Sequence, residues 1–201
     1  MPDLGLASAV PLWLKISYTA FVAITIPVYV RAYGPGNFLW FSDIALLVTV
    51  AALWSESAFL ASMMAVGVLL PELAWNLSFF GRLLTGKDMT GLAAYMFDAS
   101  TPPYLRGISL FHVFLPVLLV WLVSRLGYAP RAWLAQTALA WIVLPLSYWL
   151  TDPQQNVNRV YGLTSEPQQA IPPIVYLAAL MAVFPVLVYF PTRLVLRALF
   201  R

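Results

Sequence analysis

The composition of this chain of 201 residues excludes an ordinary soluble domain, because 62% of the residues are hydrophobic and only 9% are charged. Cysteine is absent and there is a single histidine, which excludes thiolate nucleophiles, disulfides and multi-histidine metal sites within one chain. The net charge of +3 falls largely at predicted helix ends, so it fits membrane topology, and we expect neither a nucleic-acid partner nor a cofactor.

Long apolar runs dominate the sequence, and each is near the length that a helix needs to cross a bilayer. Lipid offers no hydrogen bonds to the backbone, so these runs predict an all-α, polytopic membrane bundle of about six transmembrane helices in one domain. The first run has no small-residue cleavage site after it, so we expect it to be retained. The predicted spans are 11–30, 38–54, 58–80, 107–124, 132–150 and 172–191.

The connections between the spans indicate how the helices are arranged. The turns near Glu56 and Tyr128 are so short that each must join two antiparallel neighbours. The longer connections, 81–106 and 151–171, are rich in Asp, Asn, Gln, Pro and Gly, and an even number of spans separates them. We therefore expect both to lie on the same side of the membrane, where they can cap one end of the bundle.

The positive charges favour one orientation only weakly, since they are nearly balanced between the two sides. Arg193, Arg197 and Arg201 recur every four residues and form one helical stripe suited to anionic lipid headgroups. An ordinary positive-inside stop is the preferred interpretation of this stripe. We expect an integral membrane protein with both termini in the cytoplasm.

Besides Lys15 near the start of the first span, three ionisable residues, Asp43, Glu72 and His112, lie inside the predicted spans. Such groups are costly in lipid unless they face a partner or a wet cavity, so each is a candidate site residue. Counted from the two tight turns, Ser42, Glu72 and His112 lie at similar depth, on the order of 21–24 Å from that membrane face at about 1.5 Å per residue. The shared depth predicts a polar cavity nearer the capped side.

The spacing within helices adds neighbours to this layer. Glu72 and Asn76 share a face of the third span, and Ser109 and His112 lie on one stripe of the fourth. Pro71 and Pro116 each free a backbone carbonyl near the same depth, which is tolerated in a span only where neighbours or water satisfy it. The residues that we expect to contact a substrate are Glu72, Asn76, Trp75 and Ser109.

The most specific chemistry that these residues predict is a hydroxyl nucleophile with an imidazole base. Ser42 would attack an acyl carbonyl, His112 would take its proton, and Asp43 or Glu72 would orient the imidazole. Alternatively, His112 bridges helices and Ser42 bonds back to its own helix, which are commoner roles for such residues. No clustered ligand motif accompanies the three ionisable residues, so we expect no metal site.

The second long connection carries another polar group of residues, Asn156, Asn158, Arg159 and Tyr161. They can cover the cavity or bind a headgroup, but an ordinary solvated loop is the preferred interpretation.

Two segments, FLWFSDIALL at 38–47 and LFH at 110–112, carry a resemblance to known families. They resemble uncharacterised bacterial integral membrane proteins and, more distantly, YwaF-like proteins and the androgen-induced family of six-helix intramembrane hydrolases. That family implies a threonine or cysteine nucleophile and a histidine base acting on lipid esters. By this resemblance Ser42 replaces the nucleophile, His112 is the base, and the protein lies in the bacterial inner membrane.

The sequence thus predicts an intramembrane lipid-directed hydrolase or acyltransferase that uses a Ser42–His112 pair. Its partners would be membrane lipids, with a lipid-like substrate inside the bundle. The alternatives are a non-enzymatic subunit that binds a lipid or quinone, and a small proton-coupled transporter. The absence of a visible inverted repeat weakens the last of these.

Overall fold

The computed structural model describes residues 8–87, 90–164 and 166–200, and within these ranges it contains helices and no strand. The chain folds as the all-α bundle that the sequence predicts. In this described part of the chain, five helices are long and apolar enough to cross a membrane. The α-helices are α1 Leu12–Tyr33, α2 Phe41–Ser55, α3 Ala58–Thr85, α4 Pro103–Ser109, α5 Phe111–Leu126, α6 Ala132–Leu150, α7 Pro173–Val183 and α8 Phe190–Leu199.

Two of the five long helices are interrupted rather than regular. The span Pro103–Leu126 combines α4 and α5, and the span Pro173–Leu199 combines α7 and α8 through a π-helical turn at Phe184–Tyr189. Both extend beyond the predicted ranges. The break between α4 and α5 falls at Leu110, so His112 lies in the first turn of α5.

The second predicted span, 38–54, differs most from the structure. Residues Pro35–Leu39 form a 3-10 turn, and α2 begins only at Phe41, which makes it 15 residues long and shorter than the five long helices. Consequently Ser42 and Asp43 lie in the first turn of α2 and not well inside a longer helix.

The central element of the bundle is α3, which packs against α2, α5 and α6. Half of its apolar segment is buried (50%), against 17–33% in the other four long helices. Ser57 caps its first turn by accepting a hydrogen bond from the Leu60 amide at 3.2 Å, and Gly86 ends it with a left-handed φ of +72°. This central position places Glu72, which α3 carries, among the other helices.

The second long connection is tied into the bundle, so the preferred interpretation of a solvated loop is wrong for its central residues. The Asn158 side chain accepts from the Phe41 amide (3.0 Å) and donates to the Leu39 carbonyl (2.6 Å) and the Ser147 hydroxyl (3.0 Å). It thereby caps α2, whose first amide has no partner in its own helix. Asn156 and Asn158 are only 1% and 4% exposed.

The opposite end of the bundle is held by an ion pair. Lys15, in the first turn of α1, contacts Glu56 at 2.8 Å, where α2 turns into α3. At the same end Arg193 lies over the Trp133 ring, 4.7 Å from its centroid, so this member of the predicted basic stripe packs against its own chain. Arg201 lies outside the described residues.

Candidate functional site

A cavity of about 650 Å³ lies at the end of the bundle where the long connections meet. This volume is typical of sites for small molecules, which measure about 300–1,000 Å³. Most of the predicted site residues line it, although they come from separate helices. Those lining it are Ser42, Asp43, Glu72, Trp75, Ser109 and His112.

A hydrogen-bonded pair of a carboxylate and an imidazole forms one wall of the cavity. Nδ1 of His112 lies 2.8 Å from Oε2 and 3.0 Å from Oε1 of Glu72. Glu72 is 2% exposed. An ionised carboxylate only accepts hydrogen bonds, so the tautomer that fits this contact has its hydrogen on Nδ1 and donates a hydrogen bond to Glu72. Nε2 has no partner among the described residues, and its lone pair remains available.

The backbones of this pair are held together by Asn76. Pro116 lacks the amide that would bond the His112 carbonyl four residues earlier in α5. The Asn76 amide nitrogen donates to that carbonyl at 2.7 Å and to the Glu72 carbonyl at 2.8 Å. Asn76 does not line the cavity, in contrast to the substrate contact that we predicted for it, and its amide instead links α3 to α5.

Two aromatic rings restrict the orientation of the imidazole. The Trp75 ring stacks on it with centroids 4.6 Å apart and an interplanar angle of 23°. The Phe111 ring stacks on it at 4.1 Å and 28°. Together with the bond to Glu72, these contacts fix the plane of the ring, which is what a positioned base requires.

The second buried carboxylate, Asp43, is separate from this pair. It is 4% exposed, and its Oδ2 accepts a hydrogen bond from the Asn37 side chain at 3.1 Å. Its Oδ1 has no hydrogen-bond partner in the part of the chain that is described. Of the two carboxylates expected to orient His112, it is therefore Glu72 that makes the contact. Asp43 lines the same cavity without touching the imidazole.

Ser42, the predicted nucleophile, is half-buried and lines the cavity in the first turn of α2. Within the described ranges its hydroxyl forms no hydrogen bond to His112 and none back to its own helix. Ser42 and His112 thus line the same cavity, and no hydrogen bond joins them.

Sequence reasoning missed Tyr29, whose hydroxyl pairs with that of the predicted residue Ser109 on the cavity wall. Tyr29 Oη and Ser109 Oγ lie 3.0 Å apart, and each residue is 3% exposed. Tyr29 belongs to the inward face of α1, whose buried positions recur every three or four residues. The recurrence of these positions is the signal that could have identified Tyr29 as an inward-facing residue. Its buried residues are Lys15, Tyr18, Val22, Thr25 and Tyr29.

Tyr95 reaches the cavity from the first long connection, where it belongs to a short 3-10 turn, Ala94–Phe97. Burial raises the pKa of its hydroxyl, so the group stays neutral and able to donate a hydrogen bond. The second long connection contributes Asn156, Asn158 and Arg159 to the same lining. The two connections therefore take part in the site and do not only cover it.

Among the described residues, no group of three or more His, Cys, Asp or Glu side chains is arranged to hold a metal ion. No protein-family model, curated protein or solved structure matches the chain. The resemblance to six-helix intramembrane hydrolases therefore stays a prediction from two short segments.

Proposed function

We propose that the cavity is the active site of an intramembrane lipid-ester hydrolase or acyltransferase, in which His112 is the general base and Glu72 orients it. The observation that supports this most is the bond between Nδ1 of His112 and the buried Glu72 carboxylate, beside a cavity of about 650 Å³. A carboxylate in this position stabilises the imidazolium that forms when Nε2 accepts a proton.

The reaction uses Nε2 of His112 twice. As Ser42 Oγ attacks the acyl carbonyl, its proton passes to Nε2, and a bond forms between Oγ and the acyl carbon. The same proton then passes to the departing alkoxide, which leaves as the free alcohol, and the acyl group stays on Ser42. Water releases the acyl group as an acid in a hydrolase, and a second alcohol takes it in an acyltransferase.

The remaining polar groups fit this chemistry. The hydroxyl groups of Tyr29 and Ser109 lie 3.0 Å apart on the cavity wall. Hydroxyl groups at this position are the candidate donors to the oxygen that becomes negative as the carbonyl is attacked. Hydrogen bonds between a nucleophile and its base are often absent before the substrate binds, so the lack of a Ser42–His112 bond is compatible with this role.

Turnover of a fluorogenic lipid ester by the purified protein in nanodiscs tests the proposal. His112→Ala should lower kcat by about 10²–10⁴, the usual contribution of a general base. Ser55→Ala is the matched control, because Ser55 lies at the opposite end of α2 and bonds to its own helix. Turnover by His112→Ala equal to that of the wild type would remove the mechanism.

The identity of the nucleophile is a separate question that the same assay answers. An activated fluorophosphonate should label Ser42 and leave Ser42→Ala unlabelled if the hydroxyl attacks. If Ser42→Ala keeps full turnover while His112→Ala loses it, water is the nucleophile and His112 activates it directly. Both results keep His112 as the base.

A non-enzymatic subunit that binds a lipid or a quinone is the second candidate, because no hydrogen bond joins Ser42 to His112 across the cavity that both line. This candidate predicts a co-purifying ligand and no ester turnover under any condition. Proton-coupled transport, the remaining alternative, predicts an activity that depends on a pH gradient across the vesicle.

A further inference from the structure

Arg159 is the residue with a permanent positive charge among the described residues that line the cavity. It is half-buried, and no carboxylate of the described ranges forms an ion pair with it. One nitrogen, Nη1, donates to the Thr164 carbonyl at 3.0 Å, and the rest of the guanidinium has no protein partner there. Burial lowers the pKa of this group because its charge is partly desolvated.

The chain around Arg159 is held in an unusual conformation. Asn156, Asn158 and Arg159 have φ values of +43°, +52° and +60°, a region that residues other than glycine seldom adopt. Such conformations cost free energy and persist only where surrounding contacts determine them. Here the buried amides of Asn156 and Asn158 make those contacts, and the Tyr176 hydroxyl donates to the Arg159 carbonyl at 3.1 Å. The guanidinium is thus presented by a fixed segment.

Arg159 and the proposed base His112 are placed in the order that the phosphate and the ester groups of a phospholipid would require. Arg159 lies in the connection between α6 and α7, whereas Glu72 and His112 belong to helices of membrane-spanning length and line the same cavity. In a phospholipid the phosphate lies at the surface, and the ester carbonyls follow one glycerol unit deeper. A guanidinium matches the geometry of phosphate oxygens and forms charge-assisted hydrogen bonds with them.

We propose that Arg159 binds the phosphate of a phospholipid, so that the lipid ester presented to His112 belongs to a phospholipid and not to a neutral acylglycerol. The part about the ester rests on the proposed function. The part about the phosphate does not, because it concerns binding alone.

Binding of ether-linked lipids separates these two parts, since such lipids have no ester to cleave. The probes are a fluorescent diether phosphatidylglycerol and an uncharged diether glycerol with the same chains, titrated into the purified protein in detergent. The wild type should bind the phospholipid more tightly. Arg159→Gln should weaken its binding by about tenfold, the worth of a charged hydrogen bond of roughly 1.5 kcal/mol, and leave the uncharged lipid unaffected.

Three controls make this result specific. Arg159→Lys keeps the charge and should restore part of the affinity. Arg131→Gln removes an exposed charge at the opposite end of the bundle, before α6, and should change nothing. Thermal unfolding of each variant shows whether it is folded. Unchanged phospholipid binding by folded Arg159→Gln, or an equal loss in Arg131→Gln, overturns the proposal.

Inorganic phosphate distinguishes a lipid from a soluble ligand. Millimolar phosphate should fail to displace the diether phospholipid, because the chains add most of its affinity. If phosphate alone displaces it fully, the site takes a soluble anion and the phospholipid assignment is overturned. If phospholipid binding depends on Arg159 but no ester is turned over, the phosphate part of this proposal stands, and the ester part fails with the proposed enzyme. If esters are turned over without any dependence on the lipid phosphate or on Arg159, the proposed enzyme stands and the phospholipid assignment fails.

Discussion

Two pairs of ionisable residues, Lys15–Glu56 and His112–Glu72, lie at opposite ends of the bundle, and their closest N–O distances are both 2.8 Å. At the end away from the cavity, Glu56 accepts hydrogen bonds from several groups. Besides Lys15 it accepts from the Ser8 hydroxyl and from the amides of Ala9 (2.9 Å) and Val10 (3.4 Å). Both oxygens of this carboxylate are therefore hydrogen-bonded to groups of the chain itself.

The His112–Glu72 pair is arranged differently. Both oxygens of Glu72 contact the same imidazole nitrogen, and the other nitrogen has no described partner. The neighbouring Asp43 also has an oxygen without a described partner. Because buried polar groups in folded proteins are nearly always paired, groups left unpaired beside a cavity indicate a place for a ligand. The Lys15–Glu56 pair joins parts of the chain, whereas the His112–Glu72 pair leaves Nε2 of His112 able to bind a ligand.

Replacing each glutamate by glutamine tests this difference most strongly. Glu72→Gln should lower kcat for a lipid ester by about 10²–10⁴, because a neutral amide does not stabilise the imidazolium. Glu56→Gln should leave kcat unchanged, since Glu56 lies at the far end of α2. Equal losses in the two variants would mean that both pairs act only through the fold.

The effect of intermediate size is a coupling between Asn76 and Pro116 in the free energy of unfolding. Asn76→Ala leaves the His112 carbonyl without its donor, whereas the Glu72 carbonyl keeps the backbone amide of residue 76 in α3, and it should lower the free energy of unfolding by about 1–3 kcal/mol. In a Pro116→Ala background the loss should be smaller, because the new amide can bond the His112 carbonyl within α5. Unfolding of the two single variants and the double variant measures this coupling. Strictly additive losses would show that the proline and the asparagine do not share that carbonyl.

The smallest expected effect is the pH dependence of the stability that the Lys15–Glu56 pair contributes. The hydrogen bond from Lys15, followed by those from Ser8 and Ala9, lowers the pKa of Glu56 from its usual 4.5 to about 2. Since the folded pKa is the lower one, the stabilisation is complete above pH 4.5 and is lost as the pH falls towards 2. Thermal unfolding between pH 2 and 5 should show a shallower decline for Lys15→Met, and an identical decline would contradict this assignment.

The sequence predicted the helical bundle and the grouping of polar residues from several helices around one cavity, because both follow from counting residues along apolar runs. Counting gives the depth of a residue in a helix but not the rotation of that helix about its axis. It therefore left open whether Asp43 or Glu72 meets His112, and it placed Asn76 in the site where the structure gives it a structural contact.

The part that the second long connection plays in the site could not be predicted from local sequence patterns either. Asn158 donates to the Leu39 carbonyl across 119 residues of sequence, and no local pattern predicts that contact. Its effect on the site is large, since it fixes the start of α2 and hence the positions of Ser42 and Asp43. The same segment presents Arg159 to the cavity.

The presence of a single histidine permits a direct measurement of the central contact. With ¹⁵N-labelled histidine in nanodiscs, NMR should show one imidazole with its proton on Nδ1, hydrogen-bonded to a carboxylate. Glu72→Gln should shift that resonance strongly, and Glu56→Gln should leave it in place. A spectrum that is the same in the wild type and in Glu72→Gln would contradict the account, because His112 would then have a partner other than Glu72.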